Sequence, residues 1–339
     1  MHSTFILTVL VFAVRARLAV ARLHTPARSG GSKEGLLMRL FPTLLLTLGL
    51  LACDRKNESA PAASSSTPAP ATARIVSVGS ANTETVFALG KGADVVAVDT
   101  SSLHPEEATK LPKVGYQRAL SAEGVLSVKP TLLLLPAEGG PPEVLTQLKS
   151  AGLRLETLDP PATEEGTVQR IEAIAKLLNV DPTPLTTKVK GEIEAAKADA
   201  AKLAGEPKVL VLYARGPGTV QVFGQNTPAD RLLGMAHAKN AAQGFEGNQP
   251  ITAEAVVAWA PEWIVLPSRG LESLGGKDGV LQQPGLKETP AGKAGRVVGI
   301  DDVILLGFGP RLGEAVRAVA TAVHAGAADA GKPAENPAK

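Results

Sequence analysis

The chain of 339 residues contains one cysteine, Cys53, and aromatic residues make up only 3% of it. A single cysteine excludes internal disulfides and multi-cysteine metal sites. The formal net charge is +2, and no basic run is interleaved with aromatic residues, which argues against a dedicated nucleic-acid surface. The G-x-S-x-G and H-E-x-x-H motifs are also missing, so no common catalytic motif supports an enzyme. Because aromatic residues are scarce, a tyrosine in a loop is a candidate for a specific role.

The N-terminal region has the pattern of a targeting signal. The Met38-Arg39 pair precedes an apolar run of about a dozen residues, which is too short for a comfortable membrane span. Leu50-Leu51-Ala52-Cys53 then resembles the bacterial lipobox, in which the cysteine is acylated; the alternative is a buried core cysteine. We predict a signal region with a lipobox over residues 1–53, and we expect residues 1–37 to be an upstream extension of a chain that begins at Met38.

The middle of the chain predicts one long amphipathic helix over residues 181–205. Gly205 and Pro207 are expected to end it. At 1.5 Å per residue, such a helix is about 30 Å long and can cross a small domain. Its apolar residues recur at helical spacing on one face: Leu185, Val189, Ile193, Ala196 and Leu203.

Similar sequences flank this helix. Residues 120–136 read LSAEGVLSVKPTLLLLP, and residues 251–267, offset by 131, read ITAEAVVAWAPEWIVLP. Each predicts a short helix opened by a serine or threonine, a proline break and a buried strand. Two similar α/β lobes are therefore expected, one on each side of the helix.

Alternating strand and helix patterns fill both flanks, which indicates parallel sheets. The predicted fold class is α/β, with two Rossmann-like lobes joined by a single long helix and a ligand cleft between the lobes. Residues 54–73 are predicted to be a flexible linker, 74–180 the first lobe, 206–325 the second lobe and 326–339 a disordered tail.

Three local expectations concern the loops near the cleft. Residues 111–124 have no periodicity and predict a loop, as does the glycine-rich segment 268–279. A short helix is expected to begin at Ser101 or Ser102, with Pro105 in its first turn.

A signal region, a linker and two lobes with one helical crossover resemble the bacterial substrate-binding proteins of ABC importers. The helix-joined class of that family serves haem, ferric siderophores, cobalamin and some metals. The motifs VGYQRALSAEGVLSVKP, GPPEVL, SRGLESLGG and LLGFGPR resemble its haem-binding branch over residues 74–324. The resemblance implies a haem-binding lipoprotein of the periplasm, a monomer that delivers haem to a membrane permease. The alternatives are a ferric siderophore or cobalamin on the same scaffold, and an enzyme on a two-lobed frame.

Tyr116 is the main candidate for the axial ligand of the haem iron, because a phenolate is a hard anionic donor and tyrosine is a known axial ligand. Its alternative role is to pack a loop against the sheet. Arg118 is expected to supply positive charge or to bind a propionate. By resemblance, Arg269 faces the haem from the second lobe and hydrogen-bonds the ligating tyrosine; otherwise it is a solvated surface residue.

Tyr213 and Arg215 end the first strand of the second lobe, where some family members place a second ligand, often a histidine. This chain has Tyr-Ala-Arg there, so a second axial ligand is left open. His104 and His237 are weaker ligand candidates, since a lone histidine beside a helix end is more often a surface or capping group.

Glu123 and Glu254 occupy equivalent positions in the two repeats, each early in its helix, where a carboxylate suits the helix dipole. In the family, one such glutamate per lobe pairs with arginines of the permease. We therefore expect these two residues to dock the protein on its permease.

Overall fold

The computed structural model describes residues 73–216 and 218–325. The predicted signal region, Cys53, all but the last residue of the predicted linker and the predicted C-terminal tail lie outside these residues. Among the described residues, none of the helices combines the length and the apolar character that crossing a bilayer requires.

The first lobe is built on a four-stranded, all-parallel sheet. Its strands and helices are β1 (Ile75–Ser77), α1 (Ser80–Ala88), β2 (Val95–Val98), α2 (Glu106–Thr109), β3 (Gly115–Tyr116), β4 (Ala119–Leu120), α3 (Ala122–Ser127), β5 (Leu132–Pro136), α4 (Pro142–Ser150), β6 (Arg154–Leu158) and α5 (Glu164–Leu178). The strand order is β2-β1-β5-β6, and β3 and β4 form a separate antiparallel hairpin. The near-continuous apolar strand β5 lies at the centre, where both of its faces are covered.

After the joining helix α6 (Thr183–Ala200), the second lobe forms a mixed six-stranded sheet. Its elements are β7 (Lys208–Tyr213), β8 (Gln221–Phe223), α7 (Pro228–Met235), β9 (Lys239–Asn240), β10 (Asn248–Pro250), α8 (Ala253–Trp259), β11 (Trp263–Pro267), α9 (Ser268–Ser273), α10 (Gly276–Leu281), α11 (Pro290–Ala294), β12 (Val297–Ile300), α12 (Asp302–Gly307) and α13 (Leu312–His324). The strand order is β10-β8-β7-β11-β12, with β9 beside the start of β7. The predicted α/β class with two sheets is thus confirmed.

Helix α6 is shorter than predicted, and it packs against α13 and α5. The side chain of Asp181 accepts a hydrogen bond from the Thr183 amide (2.9 Å) at its start. Its last residue is Ala200, so Leu203 lies beyond the helix and is 37% exposed. The buried face is Thr186, Val189, Ile193, Ala196 and Ala200. The prediction of helix to residue 205 was wrong, because the amides from Lys202 onward bond three residues back instead of four. The Lys202 amide donates to the carbonyl of Asp199 (3.2 Å), and the Leu203 amide donates to that of Ala200 (3.0 Å).

One hydrophobic cluster runs through both lobes and α6. It includes Ile75 and Leu134 of the first sheet, Val211 and Val265 of the second, and Val189 of α6, all nearly inaccessible to solvent. Burial of apolar area stabilises at roughly 25 cal/mol per Å². Because the two sheets share this core with the joining helix, moving one lobe against the other disturbs packed side chains.

The repeat predicted from the sequence is present at the predicted offset. Helices α3 and α8 and strands β5 and β11 begin 131 residues apart. Ser121 accepts a hydrogen bond from the Gly124 amide (3.0 Å), and Thr252 accepts one from the Ala255 amide (3.3 Å). Both predicted N-caps are therefore formed.

Two loop predictions and one predicted helix start near the cleft were wrong. Residues 111–124 contain the β3–β4 hairpin and the start of α3, and residues 268–279 contain α9 and most of α10. Gly275, with φ of +87°, lies between those two short helices, and Gly276, with φ of +80°, begins the second, so the glycines mark a junction and not a long loop. Helix α2 begins at Glu106, because the Ser101 and Ser102 side chains bind Asp99 instead of capping a helix.

A buried ion pair joins the lobes. Arg311, just before α13, donates from Nε (3.2 Å) and Nη2 (2.6 Å) to Oε1 of Glu84 in α1. Glu84 is buried, and Asp301 and Glu314 lie 3.9 and 3.6 Å from the guanidinium. Burial raises the pKa of Glu84, while Arg311 opposes that rise. The pair therefore depends on both partners being present.

Candidate functional site

The cleft lies at the carboxyl ends of the parallel strands of both sheets, which is where open α/β sheets usually bind ligands. Two adjoining cavities of about 710 and 580 Å³ occupy it. Both volumes fall within the range of about 300–1,000 Å³ that is typical of ligand pockets. The residues that line both cavities are Ser80, Ser101, Tyr116, Gln117, Tyr213, Asp302 and Leu306.

The β3–β4 hairpin presents Tyr116 to the cleft. The Thr100 amide donates to the carbonyl of Gly115 (2.9 Å), which ties the hairpin to the end of β2. On the other side, the Leu120 amide donates to the carbonyl of Gly140 (2.9 Å). Gly115 itself has φ of +109°, a conformation that residues with a Cβ rarely adopt. The position of Tyr116 is therefore set by backbone hydrogen bonds on two sides.

A buried carboxylate orders the first-lobe rim of the cleft. Asp99 accepts hydrogen bonds from the amides of Gly79 and Ser101 (2.9 Å each) and from the hydroxyl of Ser102 (2.7 Å). Ser102 also hydrogen-bonds Thr83 at 2.8 Å. Because these donors satisfy the carboxylate, Asp99 fixes the loops that follow β1 and β2.

Arg215 connects the two lobes at the centre of the cleft. Its Nη2 donates to the Tyr116 hydroxyl at 2.9 Å, and its Nε donates to the Tyr213 hydroxyl. The guanidinium carbon also lies 4.7 and 5.4 Å from the two ring centroids. Partial burial lowers the pKa of Arg215, but the interactions with the two phenols raise it by more. The pKa of Arg215 is therefore raised overall. A charged guanidinium that donates to a phenol oxygen stabilises negative charge there.

The remaining predicted residues are distributed around this centre. Arg118 is exposed in the hairpin turn and lines the smaller cavity. Arg269 lies in the first turn of α9, lines the larger cavity and donates its backbone amide to Asp302 (3.1 Å). The hydrogen bond to Tyr116 that was expected from Arg269 is made by Arg215, which follows the end of β7 by two residues and places its Nη2 2.9 Å from the Tyr116 hydroxyl.

Glu123 and Glu254 lie outside the cleft. Both side chains are exposed in the first turns of α3 and α8, and neither forms an ion pair within the described part of the chain. Their equivalence in the two repeats therefore places two carboxylates at matching positions of the two lobes.

The two histidine candidates do not line the tyrosine cavities. His237 stacks on His324, with ring centroids 6.1 Å apart. His104 lines a third cavity of about 620 Å³ beside Glu84 and Arg311. Burial lowers the pKa of His104, the Arg311 charge lowers it further, and Asp301 and Glu107 oppose the shift.

We expect His104 to make stability depend on pH. Because its folded-state pKa is lowered, its contribution is complete above the ordinary histidine pKa of about 6.5 and is lost as pH falls through the folded-state value. Urea unfolding at pH 7.5 and about pH 5 should therefore show a larger loss of stability in the parent than in His104→Gln. Equal losses in the two proteins would contradict this expectation; His237→Gln is the matched control.

Arg170, which was not among the residues predicted from the sequence, lies on α5 and lines the smaller cavity. Its Nη1 donates to Oδ1 of Asn82 (2.6 Å), whereas its Nε is buried without a hydrogen-bond partner. The position of Arg170 in the helical pattern was a sign of a specific role. Arg170 shares a helical stripe with the buried residues Thr167, Ile171 and Ile174, and an arginine on the apolar face of a helix calls for an explanation.

Two α/β lobes, a shared cleft at their strand ends and one joining helix define a two-lobed substrate-binding protein. The sequence model of the periplasmic binding protein family matches residues 75–304, and the chain belongs to that family. Membership confirms the prediction of an extracytoplasmic binding component of a transport system, which has an ABC permease as its partner, rather than an enzyme.

Two solved haem-binding proteins are similar over most of the described residues. Periplasmic heme-binding protein RhuT from Roseiflexus sp. RS-1, in apo form, is 41% identical with a TM-score of 0.72, covering 75% of this chain and 98% of that one. Periplasmic heme-binding protein BhuT, in complex with two hemes, is 39% identical with a TM-score of 0.70, covering 74% and 97%. The predicted resemblance to haem-binding members of the family is confirmed.

Curated relatives have more varied descriptions. An uncharacterized ABC transporter substrate-binding lipoprotein, YvrC of Bacillus subtilis, is 29% identical over 256 residues, covering 74% of this chain and 80% of the relative. The vitamin B12-binding protein of Yersinia pestis is 37% identical over 93 residues, which is 27% of this chain and 33% of that protein.

Proposed function

We propose that this protein captures haem outside the cytoplasm and delivers it to an ABC-type importer. The observation that carries the proposal is the Arg215 bridge. It holds the Tyr116 phenol in the cleft at 2.9 Å, with Tyr213 on its other side. This arrangement offers an oxygen donor for ferric iron beside a fixed positive charge.

The chemistry of the site supports a ferric cargo. A phenolate is a known axial ligand of haem iron, and the neighbouring guanidinium compensates its negative charge. Within the described residues, no group of three or more histidine, cysteine, aspartate or glutamate side chains could hold a bare metal ion. An iron held by its own macrocycle fits this site better, because it needs only one or two protein ligands.

The cavity walls support a flat, apolar cargo. Leu103 and Val303 line the larger cavity, Leu158 and Phe308 line the smaller one, and Leu306 lines both. The polar residues of the walls include the tyrosines and arginines, together with Gln117, Glu138, Asp159 and Asp302. A macrocycle could therefore bury its faces against apolar side chains while its iron meets the phenol.

Replacing Tyr116 with phenylalanine tests the proposal, because it removes the hydroxyl and keeps the ring. In a haemin titration followed by visible absorption, we expect saturable binding to the parent with a phenolate-to-iron charge-transfer band. Tyr116→Phe should lose that band and bind about ten-fold more weakly, a change of about 1.4 kcal/mol.

Tyr213→Phe is the matched control for this experiment, since it removes the other phenol that Arg215 contacts. A spectral loss in Tyr213→Phe alone would move the iron ligand to Tyr213. Saturable binding of cyanocobalamin by a parent that does not bind haemin would instead support the cobalamin alternative, which the vitamin B12-binding relative makes worth testing.

The proposal extends to the membrane. Acylation of Cys53 would anchor the protein there, in keeping with the lipobox-like sequence and with the lipoprotein description of the Bacillus subtilis relative. Glu123 and Glu254 would dock the two lobes on the permease. Their exposure, their equivalence and the absence of ion pairs to either side chain in the described residues support this role.

A further inference from the structure

The smaller cavity is lined by an arginine, Arg170, that forms no ion pair with a carboxylate of the described residues. Arg170 forms no ion pair within 4.0 Å among the described residues, and its one hydrogen bond is the 2.6 Å contact to Asn82. The amide of Asn82 is itself fixed, because its Nδ2 donates to the carbonyl of Val78 (3.0 Å). Arg170 is therefore held in place by a neutral partner.

The helix that carries Arg170 is anchored on both lobes. One turn before Arg170, the Thr167 hydroxyl donates to the carbonyl of Phe308 in the second lobe (3.1 Å). Thr163 caps the start of α5 through the Gly166 amide (3.0 Å). The guanidinium therefore occupies a defined position in the cavity wall rather than sampling solvent.

Nearby negative charges stabilise the Arg170 guanidinium only weakly. Burial lowers its pKa, and Glu138 and Asp159, which line the same cavity, only partly oppose this from beyond ion-pair distance. An arginine stays protonated in proteins, so the cost of burying it is reduced by an anion rather than by loss of a proton. Its Nε, without a partner, and its Nη2, which has no hydrogen bond in the described chain, remain as donors.

We propose that Arg170 binds a carboxylate of the cargo, at the first-lobe end of the cavity that Tyr116 also lines. This inference rests on the proposed function, since haem carries two carboxylates at the edge of its ring. A guanidinium suits a carboxylate because two parallel N–H groups match its two oxygens. In this arrangement Tyr116 selects the iron and Arg170 selects the acidic edge, so together they set the orientation of the ring.

The test compares haemin with its dimethyl ester, in which both carboxylates are neutral. We expect the parent to bind haemin about ten-fold more tightly than the ester, which corresponds to about 1.4 kcal/mol. Arg170→Met should lower the affinity for haemin to about that of the ester and leave the affinity for the ester unchanged. Arg154→Met, which removes an exposed arginine that lies outside both cavities and pairs with Glu156 (2.8 Å), is the control and should retain the preference.

Arg170→Lys is a second variant. It keeps the positive charge but loses the two parallel N–H groups, so it should retain only part of the preference for haemin over the ester. If Arg170→Met lowers the affinities for haemin and for the ester equally, Arg170 only supports the fold. That result would overturn the inference. A parent that binds the two ligands equally would also overturn it. If the parent binds neither, the proposed function itself fails.

Discussion

Arg311→Met is expected to lower the free energy of unfolding by about 3–5 kcal/mol, the usual cost of removing one partner of a buried ion pair. The variant leaves the carboxylate of Glu84, a residue of α1, buried without its cation. Urea unfolding at pH 7.5 measures the loss directly. The loss should shrink at about pH 5, because burial raises the pKa of Glu84 and a protonated side chain costs less to bury.

A double variant separates the charge from the packing. Glu84→Leu/Arg311→Met removes both charges, so it should lose less stability than Arg311→Met alone. Lys202→Met is a control, because it breaks the exposed pair with Asp199 (2.9 Å) and should change stability by less than about 1 kcal/mol. If the double variant is less stable than Arg311→Met, the buried charge is not the cause.

Gly115→Ala is expected to weaken haemin binding more than ten-fold, or by over about 1.4 kcal/mol, without touching the phenol. An alanine Cβ at this position would lie 2.6 Å from the carbonyl oxygen of Ala119, and the φ of +109° is itself strained for alanine. The hairpin must therefore shift, and Tyr116 with it. Strain of this kind also costs about 1–3 kcal/mol of stability.

Gly152→Ala is the matched control for the hairpin variant. Gly152 also has a positive φ, of +82°, but a Cβ there would meet no atom within 4 Å. It should lose about 1 kcal/mol of stability and bind haemin as the parent does. Haemin titration and urea unfolding of both variants check the prediction, and parent-like binding by Gly115→Ala would show that Tyr116 is not positioned by this hairpin.

Elements with a local cause could be predicted from the sequence. The hydroxyl N-caps at Ser121 and Thr252 bond to amides three residues ahead, so their partners lie within one turn of the chain. The apolar strand β5 was recognisable from its own run of four leucines. The short elements within residues 111–124 and 268–279 could not be predicted. These segments have no hydrophobic periodicity, and contacts with the surrounding structure determine their short helices and strands.

In the candidate site, some residues could be identified from the sequence, whereas the contacts between them could not. Tyr116 was identifiable as a tyrosine in a predicted loop, and Tyr213 and Arg215 as residues at the end of a predicted strand. That Arg215, and not Arg269, meets Tyr116 depends on two segments 99 residues apart in the chain. Arg170 was missed because its neighbour Asn82 is 88 residues away, and nothing in the helix pattern specifies that pairing.

By itself, the sequence determined the α/β class, the repeat at an offset of 131 residues, the joining helix and the candidate tyrosines. Each follows from periodicity, capping or composition, which act over a few residues. The tertiary structure alone decided which arginine meets which phenol, that Glu84 and Arg311 pair across 227 residues, and that one core runs through both lobes. These depend on how the sheets pack on α6, and packing is a property of side chains that only the fold brings together.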